Sequence, residues 1–156
     1  MRRKEQGFSL IELLIVVAIV LVITAIAIPN FVRARISANE ASAVTSMHAI
    51  TTSEIGYSTA YPDIGYSKAL ADLGPGVGGT CTPTAACFLD SALAAGSKSG
   101  YTFTYAPDGA TPSLAYTING DPQAKGLSGQ AGYFSDQSNV IRYNTTTTAS
   151  ATDPPL

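Results

Sequence analysis

Histidine is almost absent from this chain of 156 residues, and several kinds of chemistry are absent with it. The single His48 has no second histidine, and no cysteine or carboxylate at metal-ligand spacing on its face. No convincing nucleophile–histidine–acid set forms around it, so it reads as a helix-surface residue. A phosphate-binding loop is also missing: residues 74–79 lack the Gly-Lys-Ser/Thr ending and a preceding strand. Charge is sparse. Asp, Glu, Lys and Arg make up 13% of the residues, a surface suited to close packing or secretion. Only two cysteines occur, Cys81 and Cys87, an even number as expected after export. Asp108, Asp121 and Asp136 have no dense run of oxygen ligands around them, and read as turn formers rather than calcium ligands. No catalytic residue, metal or cofactor is assigned, and the chain is not expected to be an enzyme.

Where charge disappears altogether, the sequence says most. From Leu13 to Val32 no side chain is charged. At about 1.5 Å per residue, such a run makes a helix roughly 30 Å long, the thickness of a bilayer's hydrocarbon core. Its length separates it from a buried strand of the same Ile, Val and Leu content. Arg2, Arg3 and Lys4 precede it, which places the N-terminus in the cytoplasm. Glu12 is the exception, one turn inside a lipid-compatible helix. A carboxylate at the bilayer centre costs on the order of 2.5–3.5 kcal/mol, and less near the interface, so a charge partner is the default expectation.

The stretch Gly7-Phe8-Ser9-Leu10-Ile11-Glu12-Leu13, behind a short basic leader, resembles the N-terminal signature of type IV pilins and type II secretion pseudopilins. The resemblance covers about the first 35 residues. It implies that a prepilin peptidase cuts after Gly7 and methylates the new N-terminus, Phe8. It also implies that Glu12 pairs with the N-terminal ammonium of a neighbouring copy. Residues 1–7 are then the leader, 8–32 the transmembrane and filament-core helix, and 33–61 its amphipathic continuation. Residues 62–144 form the globular region and 145–156 a loose C-terminal tail. Leader removal takes three of nine basic and one of eleven acidic residues, leaving a net side-chain charge of −4. That balance argues against a nucleic-acid-binding surface. Two other readings stand beside this one. An ordinary secretory signal with cleavage after Ala27 would release a binding domain, and a plain membrane anchor would hold one in the periplasm. Both leave Gly7 and Glu12 without a role.

Pro29 removes a backbone donor from the helical pattern, and a kink or local unwinding is expected there. Beyond it Ile36, Ala43, Ile50 and Tyr57 recur at seven-residue spacing with polar residues between, an amphipathic stripe. Gly56 and Tyr61-Pro62 end it. Short helices are expected over residues 66–73 and 88–95. Between them, Cys81 and Cys87 are expected to close a small disulfide loop; two buried free thiols are the alternative. From Gly100 the period changes to two. Tyr101, Phe103 and Tyr105 alternate with threonines, and Leu114, Tyr116 and Ile118 follow after a turn at Pro107-Asp108-Gly109. Asn119-Gly120-Asp121-Pro122 reads as the next turn. Residues 132–135 and 140–143 flank a hairpin turn. The expected fold class is α+β: a long N-terminal helix packed on a four-stranded antiparallel meander. The family's layout is the same. The implied partners are a prepilin peptidase, membrane lipid before assembly, copies of the chain itself, and an inner-membrane platform with an external motor ATPase. The implied location is the inner membrane as a single-pass protein, its C-terminal domain periplasmic, and then a filament.

Overall fold

The computed structural model describes residues 7–156. The chain divides into two compact units, with the boundary between Arg35 and Ile36. One helix, α1 (Leu10–Ala60), carries residues of both. No glycine interrupts its sequence between Phe8 and Ile55, although β-branched Ile and Val, middling helix formers, outnumber Ala and Leu in its first half. Ser9 starts it by accepting hydrogen bonds on its carbonyl from the Glu12 and Leu13 amides, at 3.1 and 3.2 Å. Pro29 lies inside α1, and the helix is unbroken across it. The few polar side chains of the apolar run return to their own backbone. Thr24 Oγ1 donates to the Val20 and Leu21 carbonyls, and Asn30 Nδ2 to that of Ile26. Pro62, which has no amide proton to donate, follows the last helical turn, where Tyr61 N still donates to Tyr57 O at 2.9 Å.

Within the second unit, α1 buries Ala43, Met47, Ile50, Glu54 and Tyr57, spaced four and three apart. This stripe shares one core with the inner face of the sheet: Tyr101, Phe103, Tyr116, Ile118 and Tyr133. His48 and Thr52 are exposed on the opposite side, as expected of His48. The two expected short helices are smaller than their sequences suggest. The first is a 3-10 turn at Leu70–Leu73 and the second a single turn, α2 (Ser91–Ala94), capped by Asp90 Oδ1 accepting from Leu93 N at 2.9 Å.

The sheet is antiparallel throughout and has five strands in chain order: β1 (Ser97–Lys98), β2 (Tyr101–Pro107), β3 (Tyr116–Pro122), β4 (Gly132–Asp136) and β5 (Arg142–Asn144). The expected meander is therefore present with one strand more. The extra strand, β1, is too short to show a period. It joins β2 through Ser99 and Gly100, both at positive φ (50° and 74°), the backbone of a tight hairpin turn.

Two further expectations are corrected. Asn119-Gly120-Asp121-Pro122 is not a turn but the second half of β3, paired with Tyr101–Thr104 of β2. Gly120 is there for space. A Cβ at this position would lie 3.1 Å from Phe103 Cε1 and 3.5 Å from Met47 Sδ. The C-terminal residues are not loose. Asn119 Nδ2 holds the Ala149 carbonyl at 2.7 Å, and Ala149 is buried. Arg142 Nη1 donates to Asp153 O at 2.8 Å, Tyr143 N to Pro154 O, and Leu156 N to Ile141 O. The tail thus covers the open edge of β5, which otherwise presents unpaired backbone groups.

Candidate functional site

Among its described residues the N-terminal unit has no core of its own. From Phe8 to Phe31 every Leu, Ile, Val and Phe is exposed; Phe8 is 84% accessible and Ile19 55%. Leu14, Ile15, Ile19, Val22 and Ile23 border a shallow, almost wholly apolar groove along the helix. This is the one helix among the described residues that is long and apolar enough to cross a membrane. At roughly 25 cal/mol per Å², a surface of this kind is strongly driven to leave water. Lipid and other helices are the two environments that can accept it.

The predicted processing and assembly residues sit at the start of this surface. Gly7 and Phe8 precede α1 as exposed, non-helical chain, and no atom lies within 4 Å of where a Gly7 Cβ would be. Glu12 is in the first turn, its side chain exposed. Negative charge is favourable there against the helix dipole. Arg2, Arg3 and Lys4, of the expected leader, lie outside the described residues.

The disulfide expected from the cysteine spacing is present between Cys81 and Cys87, with Cα atoms 5.6 Å apart. Inside the loop, Thr82 and Ala85 exchange backbone hydrogen bonds. The strand of chain behind it is sewn to the 3-10 turn by Ala86 N to Asp72 O, Cys87 N to Gly74 O and Phe88 N to Leu73 O. Tyr57 of α1 reaches the Pro83 carbonyl at 2.7 Å, tying the loop to the helix.

One polar residue of the core escaped the sequence reading. Glu54 is fully buried on the apolar stripe, between Ile50 and Tyr57. Its carboxylate accepts Ser67 N at 3.0 Å and Ser67 Oγ at 2.6 Å. Burial pushes its carboxyl pKa up, and the Ser67 hydrogen bonds offset this only in part. Tyr105 completes the layer, donating to the Ser67 carbonyl at 2.9 Å and stacking on Tyr116. The signal was available, since Glu54 is four residues from Ile50 and three from Tyr57.

The acidic turn candidates separate. Asp108 organises its loop, accepting from Ala110 N, Ser113 Oγ, Leu114 N and Ala115 N. Asp136 accepts Ser138 N at 2.8 Å. Asp121 instead lies in β3, half-buried, its carboxyl pKa raised by burial against the opposing effect of Lys125. Among the described residues no three His, Cys, Asp or Glu side chains are grouped to hold a metal. In the triplet Asn144-Thr145-Thr146, both ends of the Asn144 amide are engaged, Nδ2 with Asp153 and Oδ1 with Thr146 and Thr147.

Residues 2–28 match the family model described as the prokaryotic N-terminal methylation motif. The type IV major pilin protein PilA of Myxococcus xanthus is 43% identical over 51 residues, which is 33% of this chain and 23% of that protein. The type IV narrow pilus major component PilA5 of Thermus thermophilus is 33% identical over 116 residues, 74% of this chain and 99% of that protein. No solved structure gives a significant match to the chain.

Proposed function

The chain belongs to the type IV pilin family, and on that footing we propose that it assembles, after prepilin processing, into a helical pilus through its N-terminal helix. The observation that carries this reading is the apolar surface of residues 8–32, whose large side chains are exposed among the described residues. It is suited to lipid before assembly and to copies of itself afterwards. The relatives named as major pilus components favour a pilus over a secretion pseudopilus.

In this reading a prepilin peptidase cuts between Gly7 and Phe8 and methylates Phe8. The mature subunit stands in the inner membrane with its N-terminus cytoplasmic and its globular unit periplasmic. The Phe8 ammonium of one copy meets Glu12 of the next. Each charge neutralises the other inside a bundle that has shed water and lipid, and the pair sets the register between helices. Pro29 is the point at which the helix can bend or unwind as it passes from bilayer to bundle. Extraction draws on an assembly platform and an external motor ATPase. The disulfide and the sheet keep the exported unit folded on the filament's outside.

The test is the N-terminal sequence and intact mass of the protein isolated from its native host. The expected mature chain begins at N-methyl-Phe8. A chain beginning at Ile28 would make it a secreted domain, and an uncut Met1 in a host with prepilin peptidase would make it a plain membrane anchor.

A further inference from the structure

Two arginines follow the apolar run, and neither has a partner among the described residues. Arg33 and Arg35 are exposed and make no side-chain hydrogen bond or ion pair among the described residues, where the ion pair found is Lys98–Asp90. Seven and five residues on, Glu40 is half satisfied. Its Oε1 accepts Gln130 N at 2.8 Å and Ala131 N at 3.4 Å, and Oε2 accepts nothing from the described residues. Its neighbour Asn39 already spends its amide on the Ser128 carbonyl at 2.9 Å.

We propose that Arg35 of one copy pairs with Glu40 of the adjacent copy in the filament, a second intersubunit charge pair in register with the first. The inference rests on the assembly reading above and deepens it. If the Phe8 ammonium of one copy lies level with Glu12 of its neighbour, the two parallel helices are staggered by four residues, about 6 Å at the α-helical rise. The same stagger sets residue 35 of the first copy level with residue 39 of the second. Glu40 is then a single residue away, well within the span of an arginine side chain. Arg33 falls level with Ser37, three residues short of Glu40, and points about 200° around the helix from Arg35. The chemistry fits as well. An arginine packed among neighbouring subunits without a counter-charge would be strongly unfavourable. The unused carboxylate oxygen of Glu40 accepts a charge-assisted hydrogen bond without releasing the Gln130 and Ala131 amides.

Cysteine cross-linking in full-length filaments tests the pair. Cys81 and Cys87 are bonded to each other and do not compete. Filaments carrying Arg35→Cys with Glu40→Cys, treated with a bismaleimide whose spacer matches the reach of an arginine side chain, are expected to run as a ladder of covalent multimers in denaturing gels. Either substitution alone is expected to give no ladder beyond a trace, and Arg33→Cys with Glu40→Cys at least several-fold less product. Intact filaments without a ladder would overturn the pairing. If the double-cysteine chain does not assemble, Arg35→Gln, Glu40→Gln and their combination decide instead, since Gln at position 40 keeps an acceptor for Gln130. The double variant should lower the filament dissociation temperature by no more than either single one, since it strands no charge; additive losses would overturn the pairing. Failure of the wild-type chain to form filaments at all would overturn the assembly reading, and the pair with it.

Discussion

Ile19 and Ile50 lie on the same helix and are chemically identical, yet Ile19 is 55% accessible and Ile50 is fully buried. The contrast holds for the two units at large. Residues 36–156 bury Tyr57, Tyr101, Tyr116, Leu73, Leu93, Ile50 and Ile118 in one core and give almost every buried side-chain polar group a partner, with the Tyr116 and Ser135 hydroxyls left over. Residues 8–31 expose nearly everything apolar they have. A chain with both kinds of surface is complete in one half and unfinished in the other. The finished half can be exported and displayed. The unfinished half has to be covered, and in a pilin the covering is proposed to be first lipid and then other copies.

That comparison can be broken in several ways. The largest effect is expected from Glu12→Ala. Membrane insertion should be unaffected, while each assembled subunit would carry an uncompensated buried ammonium at a cost of roughly 3–5 kcal/mol. Filaments should vanish from electron micrographs of cells expressing the variant alone, and normal yields would exclude the charge pairing. Next come the two isoleucines. Ile50→Ala should destabilise the globular unit by about 2–5 kcal/mol in thermal or denaturant unfolding. Ile19→Ala should leave that unfolding unchanged and weaken filaments only; equal losses at both sites would contradict the division into finished and unfinished halves.

Replacing Cys81 and Cys87 by serine should cost up to about 2 kcal/mol for so short a loop, or roughly 5–10 °C in Tm under oxidising conditions. No change would mean the backbone ties to Asp72, Leu73 and Gly74 suffice alone. The smallest effect is expected from Glu54→Gln, and it is one of pH dependence. Burial raises the Glu54 pKa above its ordinary 4.5, so the folded protein holds that proton to higher pH than the unfolded chain does. Stability from this group therefore falls as pH rises from about 4.5 through the raised value. The Gln variant should flatten that slope in a pH series of melting temperatures, and an unaltered slope would place the dependence elsewhere.

The pilin family could be read directly because its signature is local: basic residues at the N-terminus, then Gly7, Phe8, Glu12 and an uninterrupted apolar run. The meander was legible where Tyr101, Phe103 and Tyr105 alternate with threonines, since a half-buried sheet imposes that period. Failures fell where tertiary contacts outweigh local preference. Asn119-Gly120-Asp121-Pro122 has turn composition, but Phe103 needs the space that Gly120 leaves. Ser97-Lys98 carries no periodicity at two residues. The tail from Thr145 is polar and proline-rich, and nothing in its own composition announces that Arg142 and Asn119 hold its carbonyls. Glu54 was passed over because a carboxylate on an apolar stripe reads as an interruption until Ser67 is seen beside it.

The most direct measurement is a cryo-electron microscopy reconstruction of filaments from the native host, at a resolution that shows side chains. The predicted result is a core of α1 helices packed on one another through residues 8–32, with the Phe8 ammonium of each copy in hydrogen-bond reach of Glu12 in the next. A filament whose subunits touch only through their sheet units, with the apolar helices separated or still in lipid, would contradict it.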